Sequence, residues 1–151
     1  MTEAPPPAED DEPGTVTYAE WSQRAFGSLI DAAMAVGGFI IVFLLAAVLR
    51  VVSDRLGDLV ALIGYLGLFA QAFRNQIIVQ GNTGQSIGKT QVGIKLISQR
   101  SGQPLGPGLT LVRQLVHVLD GLFFVGYLWP LRDPKKQTFA DKIVGSVVIG
   151  A

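Results

Sequence analysis

Twenty-two consecutive residues, Ser28 to Leu49 (SLIDAAMAVGGFIIVFLLAAVL), carry one ionisable side chain, Asp31. An α-helix needs about 20 mostly apolar residues to cross the ~30 Å hydrocarbon core of a bilayer, so this run dictates a membrane protein. A carboxylate inside such a segment costs ~2.5 kcal/mol or more and persists only with a partner, protonated, or facing a polar cavity. Arg24 lies seven residues before Asp31. That is two helical turns along the same face, within reach of the carboxylate.

A second apolar run, Leu59 to Phe73, follows the short polar connection RVVSDRLGD. Fifteen residues rise only ~22 Å, but Arg74 can snorkel and Ile77 to Val79 extend the helix to a full span. Ala61, Gly64 and Gly67 would let a second helix approach closely. Charged residues make up 16% of the chain, against about a quarter in soluble domains, in keeping with a membrane protein. The first 20 residues hold six acidic groups and no Lys or Arg. Residues 1–17, acidic and proline-rich, read as a disordered tail. The late, long apolar run behind that tail is a retained span rather than a secretory signal. Tyr18 and Trp21 mark the membrane–water boundary.

The stretch Leu109 to Leu131 is ambiguous. Arg113, His117 and Asp120 fall at i, i+4 and i+7 on one helical face, which suits an interfacial or re-entrant helix with a wet stripe better than a lipid-wrapped span. If the segment crosses once, the 12 Lys and Arg residues divide six and six between the two sides. If it enters and returns, only Arg50 and Arg55 lie outside and ten lie inside, the arrangement the positive-inside rule prefers. Both termini are then cytoplasmic, and the β-branched run Val144 to Ile149 can pair with Gln91 to Ile97 in a small sheet. The expected organisation is an all-α membrane protein of the inner (plasma) membrane over residues 18–150. It has spans at about 26–50 and 57–79, a β-like loop at 81–103, a re-entrant or third span at 109–131, and a C-terminal strand at 143–149.

Several chemistries are weighed and set aside. The stretch Gly84-Gln-Ser-Ile-Gly-Lys-Thr90 is one residue too short for a phosphate-binding loop and follows a span rather than a strand, so no nucleotide is expected. No cysteine is present and His117 is the single histidine, which excludes thiolate and multi-histidine metal sites. The His117–Asp120 stripe is read foremost as a solvated helix face, with a proton relay or ion contact as its alternative. No nucleophile–base–acid set is legible, so no enzyme, cofactor or metal is expected, and no nucleic acid.

The motif YAEWSQRAFGSLID, with Arg24 and Asp31, resembles the opening of the RDD family, membrane proteins named for one arginine and two aspartates. The middle block Gly81-Asn-Thr-Gly-Gln-Ser-Ile-Gly-Lys-Thr-Gln-Val-Gly-Ile-Lys is similar to that family's glycine–lysine stretch, with Gly84 and Gln85 as an inserted pair. Asp141 followed by KIVGSVVI matches its tail, with Ser146 where threonine is usual. The resemblance implies that Asp141, rather than Asp120, is the second aspartate. It also implies that Arg24, Asp31 and Asp141 meet near the cytoplasmic face. Two functions remain in view: a non-catalytic accessory or assembly subunit that packs against other membrane subunits or itself, and a transporter or channel element contacting a small ion or polar solute through the Arg–Asp cluster.

Overall fold

The computed structural model of the chain describes residues 16–122 and 125–151. The acidic tail expected at 1–17 therefore lies, apart from Val16 and Thr17, outside the described residues. Helix α1 (Trp21–Arg50) has 30 residues, about 45 Å in length. That exceeds the ~30 Å hydrocarbon core of a bilayer by two to three turns. A tight turn at Val51–Ser53 leads into α2 (Asp54–Phe73), with Arg50 and Asp58 paired at 2.8 Å across the hairpin tip. The second helix continues through a π-helical stretch, Arg74–Val79, and α3 (Gln80–Thr83). Small residues set the spacing of the two long helices. A Cβ on Gly57 would lie 2.8 Å from the Ala46 carbonyl oxygen, and one on Gly64 would lie 2.6 Å from Val42 Cγ1. Gly67, by contrast, faces open space.

The rest of the chain forms a polar layer at the end of the hairpin where α1 begins. Gly84, at φ 79°, ends α3; the Ser86 hydroxyl then caps α4 (Ile87–Gln91) by accepting from the Lys89 N–H. Strand β1 (Ile94–Ser98) leads through a turn to α5 (Pro107–Leu122), α6 (Val125–Leu128) and a single 3-10 turn, Trp129–Leu131. Helix α7 (Phe139–Val144) precedes β2 (Ser146–Gly150). The two strands pair antiparallel, Ile94 opposite Gly150 and Ser98 opposite Ser146. On the other edge of β2, Ala19 N–H donates to the Val148 carbonyl and Gly150 N–H to the Thr17 carbonyl. Thr17, assigned to the tail by sequence, is thus bonded to the edge of the two-stranded sheet. Ala19, Ile94, Leu96 and Val148 form its buried apolar centre.

The small β element is present, with shifted bounds that have local causes. The Ser86 cap makes 87–91 helical, so β1 starts at Ile94 rather than near Thr90. At the other end, Thr138-x-x-Asp141 closes a capping box: the Thr138 hydroxyl accepts from the Asp141 N–H and the Asp141 carboxylate from the Thr138 N–H. Residues 143 and 144 are helical in consequence, and the strand begins after the left-handed Gly145.

Candidate functional site

Asp141 is fully buried and its carboxylate accepts four hydrogen bonds. Oδ1 receives Arg113 Nε at 2.7 Å and Ser146 Oγ at 2.9 Å, while Oδ2 receives Arg24 Nη2 and the Thr138 N–H at 3.1 Å. That fills the acceptor capacity of an ionised carboxylate. Burial by itself would raise its pKa, but the attraction of Arg113, then Arg24, and their hydrogen bonds outweigh it and hold Asp141 far below the usual carboxylate range. Arg24 also donates from Nη1 to the Lys136 carbonyl. One buried carboxylate therefore ties the first turns of α1 to α5, α7 and β2.

Asp31 does a parallel job without a cation. Its Oδ1 accepts from Asn75 Nδ2 at 3.0 Å and from the Gly88 N–H at 2.9 Å, and its Oδ2 accepts from Ser86 Oγ at 2.5 Å. Asn75 in turn accepts from the Ile87 N–H at 3.0 Å. These bonds draw the start of α4 against α1, where a Cβ on Gly88 would overlap the Gly27 carbonyl oxygen and stand 2.9 Å from the Asp31 carboxylate. Asn75 reaches this point from the π-helical stretch, whose wider turn changes where its side chains point.

Arg24 and Asp141 thus come together, while Arg24 and Asp31 form no ion pair among the described residues; Arg24 is engaged with Asp141 instead. Arg113, His117 and Asp120 do lie on one stripe of α5, but that stripe is not a solvated face. Arg113 and Asp120 are buried, His117 Nδ1 lies 2.7 Å from Asp120 Oδ2, and that oxygen also accepts from the Ala140 N–H at 3.3 Å. The stripe packs on α7 through Arg113 and Asp120, while Leu115 and Val118 face outward. The sequence reading passed over Asn75, Ser86 and Gly88 as partners of Asp31, and Arg113 as the second guanidinium on Asp141. A serine before the short helix is an N-cap signal; nothing local announces the other contacts.

Arg24, Asp31, Lys89, Arg113 and His117 all line one cleft of about 810 Å³ between α1 and α2, floored by α4 and α5. Toward the hairpin its walls turn apolar at Met34, Ala35, Leu68 and Ala72. Lys89 has no hydrogen-bonding or ionic partner for its ammonium among the described residues. Burial, then repulsion from Arg113, pulls its pKa down to about 8, with Asp31 and Asp141 opposing and Arg24 reinforcing the shift. Among the described residues no group of three or more His, Asp or Glu side chains could hold a metal ion. The backbone N–H groups of Ile87 and Gly88 in the glycine–lysine loop are taken by Asn75 and Asp31, and so are not free to cradle a phosphate.

Comparison with known proteins identifies a family. The RDD family model matches residues 18–145, from the aromatic flank of α1 through Asp141. The chain is 35% identical over 154 residues to the "Proline-rich antigen homolog" of Mycobacterium tuberculosis (strain ATCC 25618 / H37Rv), covering 89% of this chain and 64% of that protein. It is 51% identical over 71 residues to the "Proline-rich antigen" of Mycobacterium leprae (strain TN), covering 46% of this chain and 28% of that one. The chain thus spans less than two thirds of the length of these relatives. No solved structure matches. With the matched segment carrying Arg24, Asp31 and Asp141, the chain belongs to the RDD family.

Proposed function

We propose that this protein is a non-catalytic integral membrane protein acting as an accessory or assembly subunit of a larger complex. In this reading it sits in the plasma membrane with both termini cytoplasmic, and α5 lies at the interface, entering and returning rather than crossing. The observation that carries the reading is where the charged signature residues go. Asp141, Arg24 and Asp31 are bound to their own chain, holding the polar layer onto the hairpin. The outer faces of the hairpin, including Phe39, Ile41, Leu62 and Phe69, stay exposed for lipid or a neighbouring subunit. Two helices also enclose little volume by themselves. Purification from native membranes in mild detergent should yield a heteromeric or oligomeric particle; a stable lone monomer overturns the reading. Orientation is checked on a Lys135→Cys variant, exposed and unique in a cysteine-free chain. Labelling of it from outside intact cells should fail.

A second reading has its own observation: Arg24 and Asp31 open onto the cleft, as a solute-contacting pair in a transporter or channel element would. It predicts that Asp31→Asn abolishes flux of a small ion or polar solute in proteoliposomes while the protein remains folded by thermal melting. Unchanged flux in a normally assembled variant removes it.

A further inference from the structure

The cleft between α1 and α2 holds more positive charge than its own carboxylates engage. Asp141 is saturated by four hydrogen bonds, and Asp31 accepts three, all from neutral donors. Arg113, 4% exposed, lines the cleft and among the described residues is hydrogen-bonded through Nε alone. Lys89 lines the same space, and among the described residues its ammonium has no ion-pair partner. Cationic donors that open on a confined cleft make strong, charge-assisted bonds to an anion seated there. The cleft supplies the position for an acceptor, and its other end describes the rest of the ligand. From Arg24 to Ala35 the wall follows α1 for eleven residues, about 16 Å, and passes from guanidinium and ammonium groups to Met34, Ala35 and Leu68 along the helix seam.

We propose that this cleft binds an anionic lipid, its phosphate seated between Lys89, Arg24 and Arg113 and one acyl chain lying along the α1–α2 seam past Ala35 and Leu68. The bilayer is the source, because the apolar end lies within the membrane-crossing length of both helices. Basic pockets between membrane helices near the headgroup level are suited to such headgroups. A bound phosphate would also resolve the position of Lys89. Its ammonium is disfavoured by burial and by Arg113 and Arg24, and only partly supported by Asp31 on α1 and Asp141 on α7. An added anion restores its proton affinity. The site holds whether the protein works alone or as a subunit.

The test uses the full chain in nanodiscs that mix phosphatidylglycerol with phosphatidylcholine, followed by extraction and native mass spectrometry of retained lipid. Phosphatidylglycerol should be enriched on the protein over its share of the bilayer. Lys89→Gln should cut that enrichment roughly fivefold, the scale of one cation at the membrane surface, while Lys89→Arg keeps most of it. Ala35→Phe, which fills the seam without touching a charge, should also release the lipid. Arg100→Gln, on an exposed turn, should change nothing. No enrichment in the parent protein, or equal loss in Arg100→Gln, overturns the proposal. Inorganic phosphate displacing the lipid while Ala35→Phe has no effect would make this a soluble-anion site and overturn the lipid assignment.

Discussion

The hairpin and the polar layer are built on opposite rules. Along α1 and α2 the large apolar side chains are outside: Ile41 is 67% exposed and Phe69 is 70% exposed. In the layer the interior is polar, with Arg113, Asp120, Thr138, Asp141 and Ser146 buried beside a modest centre of Ile94, Leu96 and Val148. The hairpin is ordered by its solvent, since lipid accepts the apolar faces and every backbone group is satisfied within a helix. The layer is ordered by specific hydrogen bonds between segments far apart in sequence, with Asp141 joining residues 24, 113, 138 and 146. Substitutions should therefore separate the two regions: polar changes break the layer and spare the hairpin, and steric changes along the helix seam disturb the hairpin and spare the layer.

The largest separation is expected from Asp141→Asn. It keeps the shape of the side chain but leaves two guanidiniums facing a neutral amide in a buried site, and removing one partner of a buried ion pair costs about 3–5 kcal/mol. Hydrogen exchange at β1, α7 and β2 should accelerate strongly while the α1–α2 amides stay protected. Simultaneous loss of both regions would show that they fold as one unit. Next in size is Gly88→Ala. The added methyl meets the Gly27 backbone and the Asp31 carboxylate together, so α4 must lift off α1 and give up Asp31's bonds. About 2–4 kcal/mol is expected, read as a lower melting temperature of the layer. Gly64→Ala is the matching change in the hairpin. Its added methyl meets both Val42 methyls and the Val42 Cβ, which a β-branched side chain cannot swing clear of, so the helices spread and about 1–3 kcal/mol is expected, read at the α1–α2 amides with the layer unaffected.

The same contrast explains what could be read in the sequence. Span α1 is visible because lipid imposes one property on 22 consecutive residues, and the paired strands follow once the ends of the chain share a side. The contacts of Asp31 are not visible, because Asn75, Ser86 and Gly88 lie 44 to 57 positions away and nothing in their local sequence marks them as its donors. The stripe on α5 was read with the right spacing and the wrong surroundings. In a membrane protein a polar helical face seeks other polar groups as readily as water, and α7 covers it here. Capping signals were legible in principle: Thr138-x-x-Asp141 is a helix start, but the same aspartate also belongs to a family motif and to a β-branched run, which hid its local role.

The smallest expected effect is a pH dependence confined to the layer, and it tests the comparison from the electrostatic side. Asp141, held below its unfolded value of about 3.9, stabilises the layer fully above that value and ceases to do so as pH falls through its folded pKa. Lys89 acts with the same sign in a separate, alkaline window. Its folded pKa is about 8, below an unfolded value of about 10.4. Between those two values the unfolded chain holds a proton that the folded chain has released, so stability rises with pH across that window and is flat just below it. A gain on the order of 1 kcal/mol is expected for the layer between about pH 8 and pH 10. The gain should be confined to the layer, because Lys89 lies there on α4. Melting curves of the parent protein and Lys89→Gln across this range decide the matter. The parent should gain stability and the variant should stay level, and an alkaline gain that survives in Lys89→Gln would mean that another group, and not the unpaired ammonium of the cleft, carries the strain of the polar layer.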